Sequence, residues 1–119
     1  MLRSLANQAF VVRQAIDSIR TAPRLATAIP IRLPDGWHGE VIDLSMSGMR
    51  VRSIAMFEPG KLIDATLELK GREVPVKALV VWADPPEFDI GAAGEIGLAL
   101  EQVSQDYLEL LALLFADSK

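Results

Sequence analysis

The sequence predicts a mainly β fold: a six-stranded antiparallel β-barrel with an N-terminal helix and linker and a C-terminal helix. Three observations predict it. Short runs rich in Val, Ile and Leu recur from residue 26 to residue 103, each bounded by turn-forming residues, as in strands joined by tight turns. Within the runs apolar and polar residues alternate, so that each strand shows one face to a core and one to solvent. At both ends of the chain the apolar period lengthens to three or four residues, which is helical. The 119 residues, 50% hydrophobic and 24% charged, suit one compact domain with a core of its own.

The elements follow in order. Leu2, Leu5, Ala9, Val12, Ile16 and Ile19 form one apolar stripe, predicting a helix that Pro23 ends because residues before proline avoid the helical region. Residues 1–19 are thus read as helix and linker, and 20–119 as the barrel domain with its closing helix. "ATAIPIRL" is the first strand, and its Pro30 requires an edge or a bulge. "PDG" turns the chain. "WHGEVIDLS" and "GMRVRSI" are the second and third strands, with Met49 and Val51 inward and Arg50 and Arg52 outward. After "EPG", "KLIDATLEL" places Ile63, Ala65, Leu67 and Leu69 on one face. "KG" reads as a tight hairpin. "EVPVKALVVW" follows, with Val74, Val76, Val80 and Trp82 on one parity, which assigns Trp82 to the core in preference to a ligand surface. "ADPPEFDIGAAGE" is an acidic loop rich in Pro and Gly. "IGLALEQV" is the sixth strand. Ser104 caps the last helix, whose apolar residues include Tyr107, Leu110, Leu111 and Leu114.

Composition excludes several functions. Without Cys there is no disulfide, thiol catalysis or Cys-based zinc site, and a single His38 cannot build a His-rich metal centre. No cofactor is expected. No run approaches the roughly 20 apolar residues of a membrane span, and the first twenty residues lack the apolar run of a secretory signal. These features fit a cytoplasmic location. The net charge of −4 is unevenly spread: residues 1–54 carry seven Arg against four acids, and residues 55–119 one Arg and four Lys against twelve. The acidic total argues against a nucleic-acid polymer as partner. The Arg-only cationic set of the first half suits phosphates and purine edges, which a planar fork of donors can grip.

Two stretches carry the chemistry. In "RTAPR", Arg20 and Arg24 stand four apart where the helix gives way to the first strand. In "DLSMSG", Asp43, Ser45 and Gly48 interrupt an otherwise apolar strand. Taken singly, the first is an ordinary solvated helix end and the second an ordinary turn in which side chains bond local backbone. Together, and in this order, they resemble the RxxxR and [DN]xSxxG signature of the PilZ domain, the bacterial receptor module for cyclic di-GMP. "EPGKLIDATLEL", "ALVVW", "GEIGLALEQV" and the closing helix match that family in order, so the resemblance covers roughly residues 20–116.

The resemblance implies a ligand-binding site for cyclic di-GMP at Arg20, Arg24, Asp43, Ser45 and Gly48, with no catalytic residue and no metal. The chemistry is coherent. Guanine O6 and N7 accept from an Arg fork. The Asp43 carboxylate can accept from guanine N1–H and the exocyclic amine. Ser45 can donate to phosphate or hold the local turn. Gly48 can admit a close backbone or adopt a conformation closed to other residues. Ile19 occupies a position linked in the family to whether one ligand or an intercalated pair is bound, and does not decide between them. The helix leading into "RTAPR" is similar to that of the C-terminal PilZ domain of bacterial cellulose synthase catalytic subunits. That further resemblance implies a regulatory domain on the cytoplasmic face of an inner-membrane glycosyltransferase, activating cellulose synthesis by moving the Arg-bearing linker. Partners are then cyclic di-GMP and a parent catalytic domain or a separate protein, with a weak homodimer compatible.

Two rival readings remain. Asp43, Ser45, Ser47 and His38 lack a nucleophile elbow and an orienting partner for the imidazole, which argues against a hydrolase. A PilZ-like module that binds protein instead of nucleotide is the alternative function, against which stands the presence of both motifs.

Overall fold

A computed structural model describes residues 25–117, with side chains through residue 116. The expected N-terminal helix, with Arg20 and Arg24, lies outside these residues. Six antiparallel strands, β1 (Leu25–Arg32), β2 (His38–Leu44), β3 (Gly48–Ser53), β4 (Leu62–Leu69), β5 (Arg72–Asp84) and β6 (Gly94–Leu100), are followed by helix α1 (Gln105–Asp117). The strands close into a barrel in the order β1-β2-β3-β6-β5-β4, so every edge finds a neighbour. The predicted strands all form, with boundaries shifted by one to three residues.

Alternation builds the core. Val41, Leu44, Met49, Val51, Val80 and Leu98 are fully buried, and their partners across each ladder are themselves apolar: Val41 faces Val51, Leu44 faces Met49, and Met49 faces Leu98. Each such side chain contributes about 1.5–3 kcal/mol by leaving water. Tyr107, Leu110 and Leu111 of α1 join the same cluster, so the helix closes the barrel interior. Its first turn is held as expected: the Tyr107 N–H donates to Ser104 Oγ at 3.1 Å, leaving one fewer orphan donor.

The two strand prolines sit where a missing N–H does least harm. Pro75 pairs with Thr66 of β4, while β5 meets β6 only from Ala78 onward. Pro30 immediately precedes the seam where β1 meets β4, formed by Ile31↔Leu67 and Arg32↔Thr66. Arg32 reinforces this short seam by pairing with Glu68 at 3.1 Å and with Glu73. The Lys70-Gly71 hairpin has both residues at positive φ, 50° and 79°, as a tight two-residue turn requires.

One assignment is corrected. Trp82 does not continue the inward parity of Val74, Val76 and Val80. The β5–β6 register shifts between Val80 and Trp82, and the extra residue of this bulge turns Trp82 to the outer face. There it pairs with Gly97 and packs with Val81, Leu79 and Ala99 in a small second apolar cluster.

Candidate functional site

The DLSMSG segment folds as the β2–β3 connection. β2 ends at Leu44, which pairs with Met49, and residues 45–48 make the turn. Ser45 organises it. Its N–H donates to the Gly48 carbonyl at 2.8 Å, its hydroxyl donates to the same carbonyl at 3.4 Å, and its oxygen accepts from the Ser47 N–H at 3.3 Å. Ser45 is wholly buried. Of the two roles open to it from sequence, holding the local turn is the one its contacts describe. The turn is also anchored from outside: the Leu100 N–H donates to the Ser47 carbonyl at 2.9 Å, and the buried Tyr107 hydroxyl donates to the Ser45 carbonyl at 2.8 Å. Helix α1 and strand β6 thus both fix the motif backbone.

Gly48 opens β3 in strand conformation and is not among the glycines with positive φ, which are Gly36, Gly60, Gly71 and Gly91. Of the two expectations for it, an unusual backbone conformation is therefore set aside.

Asp43 lies on the other face of the sheet from the core. Counting back from the turn, Leu44↔Met49 points inward and Asp43↔Arg50 outward. The row continues across the barrel wall: Ala26 pairs with Asp43, Arg50 with Gly97, and Gly97 with Trp82. A carboxylate, a guanidinium, a bare backbone and an indole therefore stand in line on four adjacent strands, β2, β3, β6 and β5. Asp43 Oδ2 lies 2.9 Å from Arg50 Nη2, with the Asp43 side chain only 13% exposed and that of Arg50 45%. The other end of the guanidinium is 3.7 Å from Glu95 Oε1, and Glu95 Oε2 is 3.9 Å from Arg52 Nη2. A Cβ on Gly97 would overlap the Trp82 indole, so the absence of a side chain there lets the ring lie flat on β6.

β1 enters the barrel beside this row, Leu25 opposite Leu44 and Ala26 opposite Asp43. Thus Asp43, Ser45 and Gly48 are brought together in one hairpin, while Arg20 and Arg24 lie outside the described residues. Sequence reasoning missed Arg50, which it left as a plain outward charge. The signal was present, since a tight turn over residues 45–48 pairs 43 with 50 by simple counting. Among the described residues no group of three or more His, Asp or Glu could hold a metal ion, and no helix is long and apolar enough to cross a membrane.

Comparison with known proteins agrees with this architecture. A structure of the Bacillus subtilis inhibitor of motility, MotI/DgrA, superposes with a TM-score of 0.68 at 15% identity, covering 83% of this chain and 51% of that one. The chain therefore spans about half the length of that protein. The PilZ domain of CeSA from a cellulose-synthesizing bacterium superposes with a TM-score of 0.57 at 20% identity, covering 82% of this chain and 100% of that one. At these identities the likeness is one of fold. No curated protein matches the sequence. The PilZ domain family matches residues 18–116, a span that contains both motifs and the whole barrel, and the chain belongs to that family of regulatory, non-catalytic binding domains.

Proposed function

We propose that this domain binds cyclic di-GMP and relays the binding event to an attached or partner protein. The observation that carries the reading is the pairing of "RTAPR" with a rigidly folded "DLSMSG" hairpin that presents Asp43 on the outer wall next to the entry of β1. Arg20 and Arg24 grip guanine and phosphate oxygens from the segment preceding β1. Asp43 accepts from the guanine N1–H and exocyclic amine, Ser45 holds the turn that sets Asp43, and Gly48 keeps the backbone bare. Trp82 and Gly97 extend the same surface with a flat apolar floor of the kind bases stack on.

Relay follows from a segment that ligand joins to the barrel wall. Ligand shifts such an equilibrium only by binding one arrangement more tightly, and an Arg-bearing segment gripping the same ligand as Asp43 supplies that difference. The fold it shares with the PilZ domain of CeSA supports a place beside a cellulose synthase catalytic domain, at the cytoplasmic face of the membrane. There the moving segment would release a block on the enzyme.

Isothermal titration tests the binding claim. The wild-type chain is expected to bind cyclic di-GMP and to bind GMP far more weakly. Arg24→Ala or Asp43→Ala should each lower affinity by about 1–3 kcal/mol, the worth of one bidentate base contact. Unchanged affinity in the Arg20→Ala, Arg24→Ala double variant would remove the site assignment. A wild-type chain that binds no cyclic di-GMP would favour a protein-interaction module instead.

A further inference from the structure

We propose that Arg50 is a positioning residue for Asp43 and, through it, sets the guanine selectivity of the site; this rests on the cyclic di-GMP reading above. Arg50 stands directly opposite Asp43 across the β2–β3 ladder, the closest relation two side chains on neighbouring strands can have. Its guanidinium touches Asp43 at one end, 2.9 Å away, and reaches toward Glu95 at the other, 3.7 Å away. On the far side of Arg50 the facing residue is Gly97, which offers no side chain to compete for the fork. The guanidinium is therefore strung between two carboxylates on β2 and β6, the strands that flank β3.

This arrangement matters because of what Asp43 has to do. A carboxylate so far withdrawn from water needs hydrogen-bonding or ionic partners, and Arg50 supplies one at Oδ2. To accept from both N–H groups on one guanine edge, the carboxylate plane must hold a fixed orientation. A planar donor fork paired at 2.9 Å with Asp43 and facing a second carboxylate at its other end favours an orientation that a single flexible ammonium does not. Glu95, itself close to Arg52, attracts that second end across 3.7 Å without a hydrogen bond. Arg50 then acts on guanine recognition without touching the ligand.

The test is a double-mutant cycle read with two ligands, cyclic di-GMP and its inosine analogue, which lacks the exocyclic amine that Asp43 accepts from. Wild type is expected to prefer cyclic di-GMP. Arg50→Ala should lower its affinity about tenfold, the scale of one charge-assisted hydrogen bond, and should shrink the preference over the inosine analogue. Arg50→Lys should restore part of the affinity and less of the preference. Glu95→Gln should move both in the same direction by a smaller factor. Adding Arg50→Ala to Asp43→Ala should cost nothing further, since a residue acting through another has no effect once the other is gone. Additive losses, or an Arg50→Ala variant that keeps the full preference, would overturn the inference while leaving cyclic di-GMP binding intact. A wild-type chain that binds neither ligand overturns the functional reading itself, and the inference with it.

Discussion

At the scale of single residues, the tightest link between the site and the rest of the molecule is one hydroxyl. Tyr107 is completely buried in the barrel core, yet its phenol reaches the Ser45 carbonyl at 2.8 Å across 62 positions of sequence. Deleting only that oxygen leaves the ring to fill the same space and removes the buried carbonyl's phenolic donor. Tyr107→Phe should therefore destabilise the fold by about 1–2 kcal/mol, the cost of withdrawing a buried hydrogen-bond partner, measured as a lower urea midpoint at unchanged m-value. The loss should concentrate at the motif, with faster amide exchange at the Ser45 and Ser47 N–H groups than at β4. A midpoint shift with uniform protection would mean that the bond does not specifically hold the turn. Beside this, the hydroxyl of Ser47 is buried and has no hydrogen-bond partner among the described residues, so within one turn the Ser45 side chain carries hydrogen bonds while Ser47 contributes only its backbone.

At the scale of elements, the hairpins set the register on which the site depends. Lys70 and Gly71 join β4 to β5 with positive φ at both positions, and the ladder they start runs unbroken from Leu69↔Arg72 to Leu62↔Leu79. Gly71 has nothing within 4 Å of where a Cβ would stand, so Gly71→Ala meets no clash and isolates the backbone cost. That cost is about 1–2 kcal/mol for a left-handed residue with a side chain; thermal or urea unfolding measures it, and an unchanged midpoint would show that the hairpin relaxes to another turn. This regularity explains what could be read from the sequence. β4 and the first half of β5 alternate without interruption, and Ile63, Ala65 and Leu67 are found inside as their parity requires. Trp82 could not be placed by the same rule. Its face is set by a register shift against β6, which belongs to two strands at once and leaves no mark on the parity of β5. Asp43 lies beside a similar irregularity, the shift between Val41 and Asp43 on β2. The motif named the residue, and counting across the 45–48 turn would have paired it with Arg50, which the ladder shows facing it. Ser45 was legible as part of a turn because Ser and Gly at that spacing bond local backbone. Its tie to α1 was not, because nothing local links residue 45 to residue 107.

At the scale of the whole molecule, the barrel combines a rigid wall with an Arg-rich sequence on one side of its first strand. The first 54 residues carry a balance of +3 and the remainder −7, but the closed barrel interleaves the two parts, and Arg32 pairs with Glu68 and Glu73 while Arg50 and Arg52 approach Glu95. On the reading proposed above, a dianionic ligand would bridge the segment before β1 to the β2–β3 hairpin, and the hairpin is bonded to α1 and β6. Binding should therefore stabilise the entire cooperative unit and not a loop alone. At a hundredfold excess over its dissociation constant a ligand adds about 2.7 kcal/mol, which for a domain of this length corresponds to a rise in Tm of roughly 10 °C. Differential scanning calorimetry of the full chain with cyclic di-GMP is expected to show one transition moved upward by that amount. GMP at the same concentration should leave it near its starting point, and Asp43→Ala should cut the shift sharply. If ligand instead split the transition, with the barrel melting where it did before, binding would be confined to the segment before β1, and the path from Asp43 through the Ser45 turn to the closing helix would carry none of the signal.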